Sequence, residues 1–330
     1  MNAGGENSHG FPPADRRQAP LEARTRTADD AHPVPPARRW TRWRMVKWAV
    51  RVGLPLFILT YVGCVGLDGF FYYPNKKTYD RPEDYNLRYE EVRFQTSDGL
   101  TLAGWFLPAV RHKPFRGTIV HFHGNAANIS GHLLLVYWLP LQGYNLLMFD
   151  YRGYGQSEGK PTRAGTIADG NAAIDYALSR ADVRGGPLFV YGQSLGAAVA
   201  VVVAAERPEI AGVVAESPFS GYRRIAARHL QKRILIPPLA RGLAALCVSG
   251  GYDPVDAVPR LAPRPLLVIV AGNDNICFPD LGRELFDAAC EPKEIWEAPG
   301  ADHLAIMEGN ANALMDRITG FFDRAAEGRR

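Results

Sequence analysis

The chain has 330 residues, 47% hydrophobic and 22% charged, with 38 Lys and Arg against 34 Asp and Glu. It is too apolar for a chain disordered throughout, and long enough for one large domain or two ordinary ones. The positive excess sits at one end: residues 1–51 hold ten basic and five acidic side chains, which leaves the remainder near neutral and excludes a generally basic nucleic-acid-binding domain.

In chain order, residues 1–45 are rich in Pro, Gly, Arg and Asp without hydrophobic periodicity, which predicts a disordered basic segment. A collar of Arg38, Arg39, Arg42, Arg44 and Lys47, interleaved with Trp40, Trp43 and Trp48, leads into the most apolar stretch of the chain. Residues 46–67 read as one transmembrane signal anchor, because with Arg51 snorkelling the stretch approaches the ~20 residues a bilayer requires. Arginines before it and Asp68 after it predict a cytoplasmic N-terminus and a body on the far side, periplasmic, extracellular or lumenal. Two alternatives stand beside this: a buried core helix, and a lipoprotein-type signal starting at Met45 and ending at a lipidated Cys64.

Residues 68–330 read as one α/β domain. Residues 89–95 and 102–107 alternate as strands around the turn Ser97-Asp98-Gly99, a hairpin. Short β-branched or aromatic runs then recur at 118–122, 146–149, 188–191, 212–215 and 266–270. All but the fourth are followed by a helical pattern. Near-continuous apolar strands alternating with helices predict a mostly parallel sheet covered by helices on both faces. Such sheets gather their chemistry at the carboxyl ends of the strands.

After the run 188–191 comes Gly192-Gln193-Ser194-Leu195-Gly196, followed by an Ala- and Val-rich helix. This is Gly-x-Ser-x-Gly between a strand and a helix, where glycines permit a cramped turn and Ser194 projects above the sheet. A serine hydroxyl needs a base, and the base needs an orienting acid. Asp274 follows the strand 266–270, and His303 follows a short strand at 294–297, giving the chain order Ser194, Asp274, His303. Asp302 reads as a local turn former, and Asp253 and Asp256 are weaker candidates for the acid. His229 reads as a surface residue in a basic helix, and His9, His32 and His112 fall in polar or loop segments. The main-chain N–H groups of Asn125, in His123-Gly124-Asn125, and of Leu195 are the expected oxyanion donors. His121 and His123 have a spacing that could hold a metal, but with no third ligand evident they read as structural, and neither a metal nor a cofactor is expected. Asp150 and Arg152 are expected to pair in a loop that shapes the cleft wall. Cys64, Cys247, Cys277 and Cys290 lack C-x-x-C spacing, which excludes a zinc module and a disulfide scaffold, while a bridge between Cys277 and Cys290 stays open.

Five motifs, His123-Gly124-Asn125, Phe149 to Gly155, Gly192 to Gly196, Glu216-Ser217-Pro218-Phe219 and Pro299 to His303, together resemble the membrane-associated, Bem46-like branch of the α/β-hydrolases, often grouped with serine-aminopeptidase-like hydrolases. The resemblance implies the α/β-hydrolase fold, a lid insertion over about 217–255, and a Ser194, Asp274, His303 triad. Ala197 and Ala198 stand where relatives often carry another glycine. Between Ser217 and Tyr252 lie Arg223, Arg224, Arg228, Lys232, Arg233 and Arg241 with no acidic residue, interleaved with apolar ones. This pattern suits either a lid facing anionic lipid or a solvated helix face. The expectation is a membrane-anchored serine hydrolase that cleaves an ester, thioester or amide of a small-molecule or lipid acyl substrate. A noncatalytic lipid-binding protein, and a nonhydrolytic enzyme such as a lyase or cofactor-free oxygenase, are the other readings.

Overall fold

The computed structural model describes residues 42–65 and 68–328; the segment 1–41, expected to be disordered, and the side chain of Cys64 lie outside the described residues. The first element is α1, Arg42–Val65. The expected anchor is therefore helical, yet among the described residues no helix is long and apolar enough to cross a membrane. Arg44, Lys47 and Arg51 interrupt the first half of α1, which leaves fourteen uncharged residues at 52–65. At 1.5 Å per residue these rise about 21 Å, short of the ~30 Å hydrocarbon layer. The single transmembrane helix expected over 46–67, and the sidedness inferred from it, are not shown among the described residues.

The body begins with β1 (Tyr73–Pro74), the hairpin β2 (Glu90–Gln95) and β3 (Thr101–Leu107), β4 (Gly117–Phe122) and β5 (Ala126–Ala127). Then come α2 (Ile129–Val136), α3 (Trp138–Leu141), β6 (Tyr144–Phe149), α4 (Arg163–Ser179), β7 (Leu188–Gln193), α5 (Leu195–Glu206) and β8 (Ile210–Glu216). An excursion of two helices, α6 (Tyr222–Gln231) and α7 (Pro237–Cys247), precedes α8 (Pro254–Ala257), β9 (Leu266–Ala271), α9 (Pro279–Ala288), β10 (Lys293–Ala298) and α10 (Ile306–Glu327).

Eight strands form one sheet in the order β10-β9-β8-β7-β4-β6-β3-β2. Only the β2–β3 and β3–β6 pairs are antiparallel; the others run parallel. β4, β6, β7, β8 and β9 are buried along their whole length, which explains why their sequences lack alternation. Successive side chains feed opposite faces. Val120 and Phe122 join a core built with α4 and α5, whereas Ile119 joins one built with α2 and α10. A separate two-stranded ladder pairs Tyr73 with Ala126 and Pro74 with Ala127, fastening the chain before the sheet to the loop after β4.

The loop after β6 departs from expectation. Arg152 does not pair with Asp150. Its guanidinium bonds Asp169 of α4 at 2.9 Å and Asp98 of the hairpin turn at 2.8 and 3.1 Å. Asp150 turns the other way, accepting from the Ile129 N–H at 2.9 Å at the start of α2. Two positions apart on a tight loop, the side chains diverge to opposite neighbours.

Candidate active site

Ser194 stands between β7 and α5, at φ 56° and ψ −120°, outside the favoured regions of an L-residue. Such strain persists only where the surroundings enforce it, and here two glycines allow them to. A Cβ on Gly196 would lie 2.0 Å from the Phe122 carbonyl oxygen and 2.4 Å from that of His123; one on Gly192 would lie 2.5 Å from the Gly196 carbonyl. The turn is thus pressed against the end of β4, and the Ser194 N–H donates to the Glu216 carbonyl of β8 at 2.9 Å.

Ser194 Oγ lies 3.0 Å from His303 Nε2, and His303 Nδ1 lies 2.7 Å from Asp274 Oδ2. The three residues named from their chain order therefore form one continuous row. Ser194 and Asp274 are buried, while the His303 side chain keeps 15% of its surface exposed, open enough to meet a substrate. Asp274 Oδ1 accepts from the N–H groups of Ile276 at 2.9 Å and Cys277 at 2.8 Å. Burial opposes ionisation of Asp274, but the His303 hydrogen bond and charge with these two donors outweigh it and hold the carboxyl below its ordinary value. A carboxylate there keeps the imidazole proton on Nδ1 and leaves Nε2 free to accept from the hydroxyl.

Leu195 opens α5, so its N–H belongs to the helical turn that has no intrahelical acceptor. Asn125 lies three residues past the end of β4. Its side-chain Oδ1 accepts from the Tyr73 N–H and the Tyr154 hydroxyl, each at 2.9 Å, so the side chain braces the loop.

His121 and His123 do not converge on a common point. His121 Nε2 meets Gln193 Oε1 at 3.0 Å, and His123 Nδ1 donates to the Gly124 carbonyl at 2.7 Å. Burial holds His121 down to about 3 and His123 well below the usual histidine range, so both are neutral. Among the described residues no group of three metal-ligating side chains is present. Of the other acids considered, Asp253 accepts from the Tyr222 N–H at 2.7 Å and so caps α6, while Asp302 is exposed and its carbonyl closes a turn to the Ala305 N–H. His229 is on the surface, its Nε2 2.9 Å from the Ile276 carbonyl. Asp256 lies in the short α8, and His112 in an exposed loop.

Two features of the site went unread in the sequence. Cys277 is buried with Sγ 3.5 Å from Ser194 Oγ, and both it and exposed Cys290 are free thiols. Its position three residues after Asp274 was the available signal. Beneath Ser194, the Gln193 amide donates to Glu216 Oε2 at 2.7 Å, and the Tyr191 hydroxyl donates to the same oxygen. With His121 this makes a buried polar network that fixes the residue preceding Ser194. Burial pushes the Glu216 carboxyl above its ordinary range.

Known proteins resemble the chain in sequence and fold. The family described as "Serine aminopeptidase, S33" matches residues 113–250. The uncharacterized protein YfhR of Escherichia coli (strain K12) is 35% identical over 282 residues, covering 82% of this chain and 94% of its own. Protein bem46 of Schizosaccharomyces pombe is 29% identical over 201 residues, covering 60% of this chain and 64% of its own. Among solved structures, an esterase of Pyrococcus furiosus superposes with a TM-score of 0.64 at 23% identity, covering 77% of this chain and 98% of that one. The strained serine turn, the mostly parallel sheet and this similarity along most of the chain lead to one assignment: the chain belongs to the α/β-hydrolases, in their Bem46-like branch.

Proposed function

We propose that the chain is a serine hydrolase that cleaves an ester or thioester through an acyl-enzyme on Ser194. The observation that carries this reading is the row Ser194 Oγ to His303 Nε2 at 3.0 Å and His303 Nδ1 to Asp274 at 2.7 Å. The hydroxyl oxygen attacks the acyl carbon while its proton passes to Nε2, and Asp274 stabilises the resulting imidazolium. The oxyanion is met by the main-chain N–H groups of Leu195 and Asn125, each donor of this kind contributing about 10²–10³ in rate. His303 then hands its proton to the leaving group, and a water activated by the same nitrogen releases the acid and restores Ser194.

An ester or thioester fits better than a peptide with a free amino terminus. A free amine asks for an available carboxylate. Asp274 is bound to His303, Asp150 to Ile129, and Glu216 to Gln193 and Tyr191, so none of these three buried carboxyls is available to it.

A fluorophosphonate probe tests the reading. One adduct on Ser194 is expected, absent in Ser194→Ala, with Asp274→Asn lowering kcat/KM on a short p-nitrophenyl ester by about 10³–10⁴-fold. No adduct on the wild-type chain would favour the noncatalytic, lipid-holding alternative. Faster turnover of aminoacyl anilides than of esters would move the assignment to an aminopeptidase.

A further inference from the structure

The α6–α7 excursion ends in a tip that a water-facing surface does not call for. Leu235 is 92% exposed and Ile236 60%, in the turn between the two helices, and Leu239 and Leu246 of α7 are each about half exposed. Leu239 and Leu246 are seven positions apart, so they share one face of α7, while Ala240 and Ala244 face inward. Two exposed aliphatic side chains thus lie in the turn and two more on one face of the helix that follows it.

The charge around them is of one sign. Residues 217–252 hold six Arg and Lys and no Asp or Glu. Part of that charge is used internally: Arg224 pairs with Glu284 at 2.9 Å, Arg228 with Asp280 at 3.0 Å, and Lys232 Nζ donates to the Asn275 carbonyl at 2.7 Å. Arg233, two positions before Leu235, is exposed and makes no ion pair among the described residues, whereas Arg241, two positions past Leu239 and so on another side of α7, lines a groove with Asp280 and Glu284.

We propose that the α6–α7 turn and the outward face of α7 dock onto an anionic lipid bilayer, with Leu235, Ile236, Leu239 and Leu246 entering the headgroup layer and Arg233 meeting lipid phosphate. Exposed aliphatic side chains with a basic one beside them are the chemistry of an interfacial segment. A second copy of the chain is disfavoured, because residues 217–252 carry no acidic side chain to meet the basic ones of their copy. Docking also has a geometric consequence. Lys232 and His229 bond the carbonyls of Asn275 and Ile276, so the end of α6 rests on the loop that begins at Asp274. A docked tip sets that loop, with half-exposed Ile276, close to the lipid. The proposal does not depend on Ser194 being a nucleophile, and it needs no membrane-spanning helix.

Hydrogen–deuterium exchange of the full chain tests it, since the readout is local to the tip whatever α1 does. With vesicles of phosphatidylcholine and phosphatidylglycerol at 7:3, exchange over 232–247 is expected to slow about tenfold or more; with phosphatidylcholine alone or in 0.5 M salt, less than about twofold. The variants Leu235→Ser with Ile236→Ser and Leu239→Ser, and separately Arg233→Glu, should lose the protection at unchanged Tm. Vesicle binding that leaves 232–247 unprotected, or protection that survives both variants, overturns the proposal. So does protection without lipid that rises with protein concentration, which would identify a second copy. Equal protection by a short-chain phosphatidylglycerol below its micelle concentration would identify a soluble ligand in place of a bilayer.

Discussion

Cys277 holds two members of the Ser194, His303, Asp274 row at once, its Sγ 3.5 Å from Ser194 Oγ and its N–H 2.8 Å from Asp274 Oδ1. Burial pushes the thiol up to about 12, so at neutral pH it stays protonated and is no rival nucleophile. Cys277→Ala keeps the N–H and removes only the sulfur. The cavity should cost about 1–2 kcal/mol and lower Tm by a few degrees, while the probe labels Ser194 within about tenfold of the wild-type rate. Labelling lost at an intact fold would instead show that the thiol orients the hydroxyl. In the sequence, Ser194, Asp274 and His303 stand out because their types, order and flanking turns repeat a chemical requirement. Cys277 does not, because a thiol serves many roles and its contact with Ser194 joins positions 83 apart.

At the scale of elements, the serine turn depends on how closely α5 approaches β4. Gly196→Ala would drive a methyl into the Phe122 and His123 carbonyls, backbone that cannot step aside. A loss of at least about 3 kcal/mol, or failure to fold, is expected. Gly242→Ala is the contrasting case: in α7 an added Cβ meets nothing within 4 Å, and the gain in helix propensity should raise stability by up to about 1 kcal/mol. Thermal unfolding of the two variants checks both signs. The strands from β2 to β10 were legible to within two residues or so wherever they ran four residues or more. The β1–β5 ladder was not, because two-residue strands carry no period to read. Nor was the divergence of Asp150 and Arg152, since the turn between them decides which neighbour each side chain meets.

For the molecule as a whole, titratable groups buried near the carboxyl ends of β4 and β6 link stability to pH with opposing signs. Burial holds His132 down to about 4 and His121 to about 3, so both take up protons on unfolding and cost stability as pH falls below the usual histidine value near 6.5. Burial pushes Asp150 up to about 7, so its contribution is fully present below the unfolded carboxyl value near 4 and is lost as pH rises toward 7. Asp150→Asn keeps an acceptor for the Ile129 N–H and removes that titration. Between pH 5 and 7 the wild type should lose stability relative to the variant by about 1.4 kcal/mol per pH unit, read by denaturant unfolding; parallel curves would mean that Asp150 is ionised throughout. The sequence by itself determined the α/β architecture, the strained serine turn and the three residues of the row, since periodicity, glycine sterics and chain order are local properties. Only the tertiary structure decided that Ser194 and His303, 109 positions apart, meet at 3.0 Å, that Arg152 pairs with Asp169 and Asp98, and that Cys277 completes the surroundings of Ser194. Those contacts depend on the order of strands in the sheet, and the meeting of three distant segments is written in no single stretch of chain.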